Sequence, residues 1–315
     1  MMRFYLLSAL WPVSSGAALF PIHRDLNITY GTAMINCSDG TNVSTCPSIM
    51  NLTLDHFYPS PEAETEGGRP AIVFVHGGSY CIEDSSDFWD QAEWFASRGF
   101  SAFSINYRLA KDDGLYPAGW EEWLPPFNES SWWANNWNHM YPAVRDAKAS
   151  LRWIRAHAHD LGVNAAALVA YGGSAGACTT IGLGSLLEGD YKDELVGIDP
   201  TLEGTHLTVS SSVAAVVDHW GAVYAVDAVQ WKDGQQRYGP LSAPTIAFHG
   251  LNDTTIVPEN SIWLCDETLV PAGGECALHL IPNQTHGCWD ATVGPDNRTQ
   301  DEVTLSWLSE MGLAP

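Results

Sequence analysis

Basic side chains are scarce in this chain of 315 residues, where 14 Lys and Arg stand against 37 Asp and Glu for a formal net charge of −23. A surface that acidic repels phosphate backbones and anionic headgroups, and no basic stripe runs along the sequence, so nucleic acid is not an expected partner. Charged residues of either sign are also few, 16% against 45% hydrophobic. That balance provides material for a buried core and excludes disorder for the bulk of the chain. Beyond the N-terminus no apolar run approaches the roughly 20 residues that span a bilayer, so no stable membrane span is expected. Metal-ligand spacings are missing as well. There is no H-x-x-x-H or C-x-x-C, and His157 and His159 at the end of a helical stretch make a poor ligand pair, so neither a metal nor a cofactor is expected.

What is present begins with a short leader. Met1 to Arg3 form a basic start, Phe4 to Val13 an apolar stretch, and Ser15, Gly16, Ala17 and Ala18 the small residues a signal peptidase needs. Residues 1–18 are therefore expected to be a cleaved secretory signal. Eight N-x-S/T sequons, at Asn27, Asn36, Asn42, Asn51, Asn128, Asn252, Asn283 and Asn297, fit passage through an oxidising lumen. The expected destination is extracellular, with a lysosome- or vacuole-type lumen as the alternative. Among seven cysteines, Cys37 and Cys46 lie close together in a Ser/Thr/Asn-rich stretch, which suggests a small disulfide-closed loop.

After a Cys- and sequon-rich segment over 19–50, short β-rich runs alternate with helical patterns through 51–315, the sign of an α/β domain with a mostly parallel sheet covered by helices on both faces. The strands are expected at 71–76, 100–106, 165–171, 213–217, 244–249 and 277–281, most of them continuously apolar as strands buried on both sides are. Helices are expected over 87–98, 142–160, 177–187, 259–268 and 299–311. Two segments break the alternation. The insertion 111–140 carries Trp120, Trp123, Trp132, Trp133 and Trp137, five of fourteen tryptophans, and is expected to be a lid or pocket wall. The acidic stretch 187–208 reads as an excursion at the edge of the sheet.

Residues 171–177, YGGSAGA, contain G-x-S-x-G with Ser174 at its centre. A buried strand precedes the motif and a helix follows, the context that exposes a serine hydroxyl on a tight turn. A serine is a poor nucleophile at neutral pH and needs a histidine base oriented by a carboxylate. Asp253 in GLND and His286 in NQTHG follow in that order, each just past the carboxyl end of an expected strand. His249 and His279 sit within strands and make poorer candidates. The turn HGGSY, 76–80, follows the first buried strand and offers Gly77, Gly78 and Ser79 as backbone donors for an oxyanion, with Ala175 after the nucleophile as another.

Together HGGSY, the NYRL of Asn106–Leu109, the WIRAHAHDLGV that leads into YGGSAGA, HGLND and THG resemble an α/β-hydrolase of the esterase/lipase superfamily, in its feruloyl-esterase-like branch. The resemblance covers about residues 50–312. It implies the α/β-hydrolase fold with Ser174 as nucleophile, His286 as base, Asp253 as orienting acid, and Gly77, Gly78, Ser79 and Ala175 as oxyanion donors. Two positions depart from the family pattern, since Ser79 and Thr285 stand where Gly is common. Cys81 and Cys288, in loops that should both border the site, are expected to form a disulfide, and Cys265 and Cys276 another, which leaves Cys178 as a small buried residue. The Asn252 sequon, beside Asp253, is expected to stay unglycosylated. The implied activity is that of a secreted serine hydrolase that cleaves a small-molecule or polysaccharide-linked ester. The rivals are an arylformamidase- or peptidase-like amide hydrolase and a non-catalytic binding module on the same fold.

Overall fold

The continuous apolar runs become one central sheet. The computed structural model describes residues 19–60, 67–123 and 132–315; the expected leader 1–18 and the sequon at Asn128 lie outside them. Eight strands are hydrogen-bonded in the order β1-β2-β4-β3-β5-β6-β7-β8. They are β1 Ile22–Ile35, β2 Ser48–Pro59, β3 Arg69–Val75, β4 Ser101–Ile105, β5 Val163–Gly173, β6 Ala215–His219, β7 Thr245–Gly250 and β8 Cys276–Ile281. β1 pairs antiparallel with β2, and β2 with β4, while every pairing from β4 to β8 is parallel. The mostly parallel architecture expected from the sequence is thus the one found. Residues 22–35, expected only as part of a Cys- and sequon-rich segment, form the long edge strand β1.

The α-helices are α1 Trp89–Ala96, α2 Trp132–Ala156, α3 Ala175–Ser185, α4 Tyr224–Asp233, α5 Glu259–Ile262, continued by a π-helical stretch Trp263–Leu269, and α6 Gln300–Glu310, with a small hairpin of β9 Thr292–Val293 and β10 Arg298–Thr299. The two-residue period of a strand divides the core between the faces of the sheet. Ala71, Val73 and Val75 of β3 pack with Val144, Ala147 and Leu151 of α2 and with Ala175 of α3. Ile72 and Phe74 turn the other way, onto Phe95 of α1 and Leu308 of α6. Among the described residues no helix is long and apolar enough to cross a membrane.

Helix α2 starts ten residues before its expected beginning and carries Pro142 inside it. Its other surprise is charge. Arg145, Asp146, Lys148 and Arg152 are all buried, each beneath a specific partner. Arg108 of the NYRL stretch grips Asp146 with Nε and a terminal nitrogen, at 2.8 and 2.7 Å. Arg145 meets Asp199 at 2.6 Å. Lys148 donates to the carbonyls of Leu187 and Asp190, both at 2.7 Å, and Arg152 to that of Thr205 at 2.8 Å. The excursion 187–208 is therefore tied down onto α2 by the scarce cations of the chain.

Trp120, Trp123 and Trp137 join the same core with Tyr141 and Tyr191. Trp120 and Trp137 stack with ring centroids 5.5 Å apart, and Trp120 meets Tyr191 edge-on at 5.7 Å. These three indoles are structural packing; none of them lines the cleft described below.

Candidate active site

Strand order reverses between β3 and its neighbours β4 and β5, and open α/β sheets place ligands in the crevice at the carboxyl ends of strands flanking such a reversal. The turn after β3 and the turn after β5 meet there. Ser174, between β5 and α3, has a sparsely populated backbone conformation, φ 54° and ψ −122°, the strained strand-to-helix turn that the glycines around it allow. Gly176 is required by a close approach, since a Cβ there would fall 1.9 Å from the carbonyl oxygen of Val75.

The loops after β7 and β8 bring the other two candidates to the same place. His286 Nε2 lies 2.9 Å from Ser174 Oγ, and His286 Nδ1 lies 2.7 Å from Asp253 Oδ2. Asp253 is buried, and its Oδ1 accepts the backbone amides of Thr255 and Ile256 at 2.8 and 3.1 Å. With Asp253 ionised, Nδ1 of His286 carries hydrogen, which leaves Nε2 as the acceptor for the serine proton. Gly250 permits this geometry, because a Cβ on it would meet the carbonyl oxygens of Gln284 and Thr285 at 2.6 and 2.8 Å.

The oxyanion candidates divide. The Gly77 amide is already engaged, donating to Glu83 Oε2 at 3.0 Å. Gly78, at φ 68°, and Ser79, at φ 59°, continue the turn in the left-handed region. Their amides, with that of Ala175 at the first turn of α3, make no hydrogen bond to the protein among the described residues. The tight run is held from below by Tyr107, whose hydroxyl lies 2.8 Å from the carbonyl oxygens of both His76 and Gly77 and whose ring stacks on His76 at 4.1 Å. Burial pushes the His76 imidazole down to about 4, so it stands as a neutral ring beneath the turn.

These groups open onto a cleft of about 710 Å³ that Ser174 and His286 line. Trp220, Trp289 and Phe88 form its apolar walls, Glu83 and Asp87 its acidic border, and no Lys or Arg lines it among the described residues. Trp220 packs against the His286 ring at 6.1 Å and against Trp289 at 4.6 Å. Burial, and then the neighbouring Asp87, raise the Glu83 carboxyl above its ordinary range.

Glu83, Tyr107, Trp220 and Trp289 were not singled out from sequence. Glu83 and Trp289 are close in the chain to HGG and THG and Tyr107 lies within NYRL, whereas Trp220, just past β6, stands near none of these motifs. Cysteine pairing follows the expectation in two cases and departs from it in one. Cys37–Cys46 and Cys265–Cys276 are disulfides, whereas Cys81 and Cys288 are not bonded to each other. Cys81 lines the cleft, while Cys288 is buried among Phe88, Ile281 and Ala291, so the two thiols are committed to different surroundings. Cys178 is a buried free thiol, as expected.

Comparison with known proteins adds the following. A family model described as BD-FAE matches residues 134–243, a stretch that contains Ser174 but neither Asp253 nor His286. Esterase cest-33 of Caenorhabditis elegans is 30% identical over 132 residues, 41% of this chain and 21% of that protein. Lipase 2 of Moraxella sp. (strain TA144) is 28% identical over 109 residues, 34% of this chain and 19% of that one. The matched stretches thus span about a fifth of these curated relatives. Among solved structures, Thermogutta terrifontis esterase 2 phosphorylated by paraoxon superposes with a TM-score of 0.61 at 24% identity, over 92% of this chain and 95% of that one. The propionate-bound form of that esterase gives 0.59 at 23%, over 90% and 95%. Likeness at that identity establishes a shared fold.

Proposed function

We propose that this chain, which shares the α/β-hydrolase fold with the esterases among its structural neighbours, hydrolyses carboxylic esters through Ser174, His286 and Asp253. The observation that carries this reading is the unbroken hydrogen-bonded line from Ser174 Oγ through both ring nitrogens of His286 to a buried carboxylate. It lies beside the Gly78, Ser79 and Ala175 amides.

Ser174 Oγ attacks the ester carbonyl as His286 Nε2 takes its proton, and Asp253 stabilises the imidazolium that forms. The negative charge on the former carbonyl oxygen is met by the three amides, reinforced by the positive end of the α3 dipole. Collapse expels the alcohol with the proton returned from His286 and leaves an acyl group on Ser174. Water, activated by the same imidazole, then releases the acid.

The walls and border of the cleft narrow the substrate. Trp220, Trp289 and Phe88 favour an apolar or aromatic acyl or alcohol group, and the carboxylates of Glu83 and Asp87 disfavour an anionic one. A secreted location is supported by the two disulfides and by the sequons, since all seven sequon asparagines within the described residues are exposed.

The test is covalent labelling with a fluorophosphonate, followed by a panel of short- and long-chain acyl esters, a feruloyl ester, an anilide and a formamide. Wild type should label at Ser174 and turn over neutral esters, and Ser174→Ala should do neither. Anilide or formamide turnover in preference to every ester would reassign the chain to amide hydrolysis.

A further inference from the structure

Behind the cleft lies a run of polar groups that ester hydrolysis, as described, leaves unused. Asp253 Oδ2, which receives His286 Nδ1, also lies 3.3 Å from Nε2 of a second histidine, His249 of β7. His249 is fully buried. Its Nε2 is 2.8 Å from the carbonyl oxygen of Ile256, so this nitrogen faces two oxygens that only accept and must itself carry hydrogen. Its Nδ1 is 2.7 Å from Ser261 Oγ. Ser261 Oγ is in turn 3.4 Å from Oδ2 of Asp218, a fully buried carboxyl on β6 whose Oδ1 accepts the Gly221 amide at 2.8 Å. Buried polar groups cost free energy unless paired, and here each member pairs with the next.

We propose that His249 is a positioning residue for the Ser174–His286–Asp253 unit. Its Nε2–H, shared between Ile256 O and Asp253 Oδ2, holds the carboxylate in the orientation that receives His286, while Ser261 and Asp218 hold His249 in the form able to donate. The inference rests on the roles assigned to those three residues above.

The proton count along the run balances in two ways. With a proton on Asp218, its O–H donates to Ser261, the Ser261 hydroxyl donates to His249 Nδ1, and neutral His249 donates toward Ile256 and Asp253. With that same proton on His249, Nδ1–H donates to Ser261, and Ser261 donates to ionised Asp218. Both arrangements bind the same number of protons, and burial, which pushes the Asp218 carboxyl up to about 6, favours the one with the proton on Asp218. The other titratable groups facing the run are Asp253 and His286 at one end and Cys178 of α3 at the other. Cys178 Sγ accepts the Ala222 amide at 3.3 Å, and burial raises its thiol to about 12, so it contributes no charge.

In both arrangements a hydrogen on His249 Nε2 draws negative charge of Asp253 away from His286. Its loss should therefore make His286 hold its proton more tightly, moving the acid limb of the rate profile to higher pH. A carboxylate freed to turn should also lower the plateau. A defect of packing alone would lower stability without moving the limb.

The experiment measures the second-order rate of fluorophosphonate labelling of the full chain from pH 5 to 9, with thermal melting as a control. Wild type is compared with Ser174→Ala, His249→Leu, His249→Gln and Ser261→Ala. His249→Leu should lower the plateau about 10-fold and raise the midpoint of the acid limb by about half a pH unit. Ser261→Ala, which leaves the ring in place, should shift both in the same direction with a plateau loss of about 3-fold. His249→Gln, which restores an N–H donor, should label within about 3-fold of wild type. The inference is overturned by a folded His249→Leu with the wild-type limb, or by His249→Gln as slow as His249→Leu. Should His249→Leu fail to fold, an unshifted limb in Ser261→Ala overturns it instead. Equal labelling of wild type and Ser174→Ala would remove the hydrolase reading itself, an outcome distinct from all the others.

Discussion

The indole of Trp289 fills the space beside Gly173 so closely that a Cβ on Gly173 would lie 2.6 Å from its Cζ2. Trp289 follows the His286 loop and Gly173 precedes Ser174, so this contact seats the loop that carries His286 directly against the turn that carries Ser174. The same indole walls the cleft. Gly173→Ala must push Trp289 outward or shift the backbone at Ser174. Overpacking of this kind costs about 1–3 kcal/mol, and the displaced indole narrows the cleft. The expected outcome is a lower melting temperature together with a rise in KM for a bulky aryl ester, larger than for an acetyl ester. Equal effects on both esters would show that Trp289 does not shape the substrate space.

Glu83 Oε2 accepts the Gly77 amide at 3.0 Å, in the same turn as Gly78 and Ser79, the proposed oxyanion donors. Glu83→Gln retains an oxygen that can accept that amide, whereas Glu83→Ala leaves the amide unpaired. Removing a single oxyanion donor outright costs about 100-fold or more in kcat, so a turn loosened behind its donors should cost less, about 10-fold. Steady-state kinetics on a neutral ester should therefore find kcat lowered about 10-fold in Glu83→Ala and within about 2-fold of wild type in Glu83→Gln. A kcat in Glu83→Ala equal to that of wild type would detach Glu83 from the oxyanion turn.

How much of this was readable beforehand depends on the range over which each signal acts. The meeting of Ser174, Asp253 and His286 was legible because each lies just past a largely apolar strand and their order along the chain matches the pattern of the resemblance. Cys37 and Cys46 were legible because they lie only nine positions apart. Glu83 and Trp289 were not, since their roles arise from side chains crossing between loops, and nothing local distinguishes Glu83 from the acidic residues around it. The Trp-rich insertion was legible only in part: Trp120, Trp123 and Trp137 pack with Tyr141 and Tyr191, while the side chains of Trp132 and Trp133 lie outside those described. A cluster of indoles must pack against something, but the sequence does not say whether the partner is a substrate or Tyr141 and Tyr191. β1 was hidden by polarity: Ile22–Ile35 is mostly exposed along its first half, the pattern of an edge strand and not of the buried parallel strands beside it.

The buried pair Arg108–Asp146 joins the stretch after β4 to α2, with side-chain exposures of 0% and 1%. Breaking a buried pair on one side strands a charge, whereas replacing both members removes the desolvation cost along with the attraction. Asp146→Ala is therefore expected to cost about 3–5 kcal/mol in urea unfolding, because Arg108 would keep only the Met34 carbonyl at 3.2 Å among the acceptors described for its guanidinium. A double replacement, Arg108→Met with Asp146→Leu, should recover most of that loss. If the double variant is as unstable as the single one, the loss comes from packing and not from the stranded charge.

Asp218 sets a pH dependence of stability whose sign runs opposite to that of a salt-bridged carboxylate. Burial raises its folded-state value to about 6, above the ordinary value of about 4 for an unfolded aspartate. Between those values the native state binds more protons than the unfolded one, so stability from this group is complete below about pH 4 and is lost as pH rises through about 6. The loss amounts to about 3 kcal/mol at neutral pH, because each tenfold change in proton affinity corresponds to about 1.4 kcal/mol. Asp218→Asn carries no charge, can keep the Gly221 amide on its oxygen, and offers an N–H to Ser261 as the protonated acid does. Melting followed by circular dichroism should therefore show Asp218→Asn more stable than wild type at pH 8, with the advantage shrinking toward zero at pH 4. An advantage that is constant across that range, or that grows on acidification, would mean that Asp218 titrates without the burial penalty that its surroundings impose.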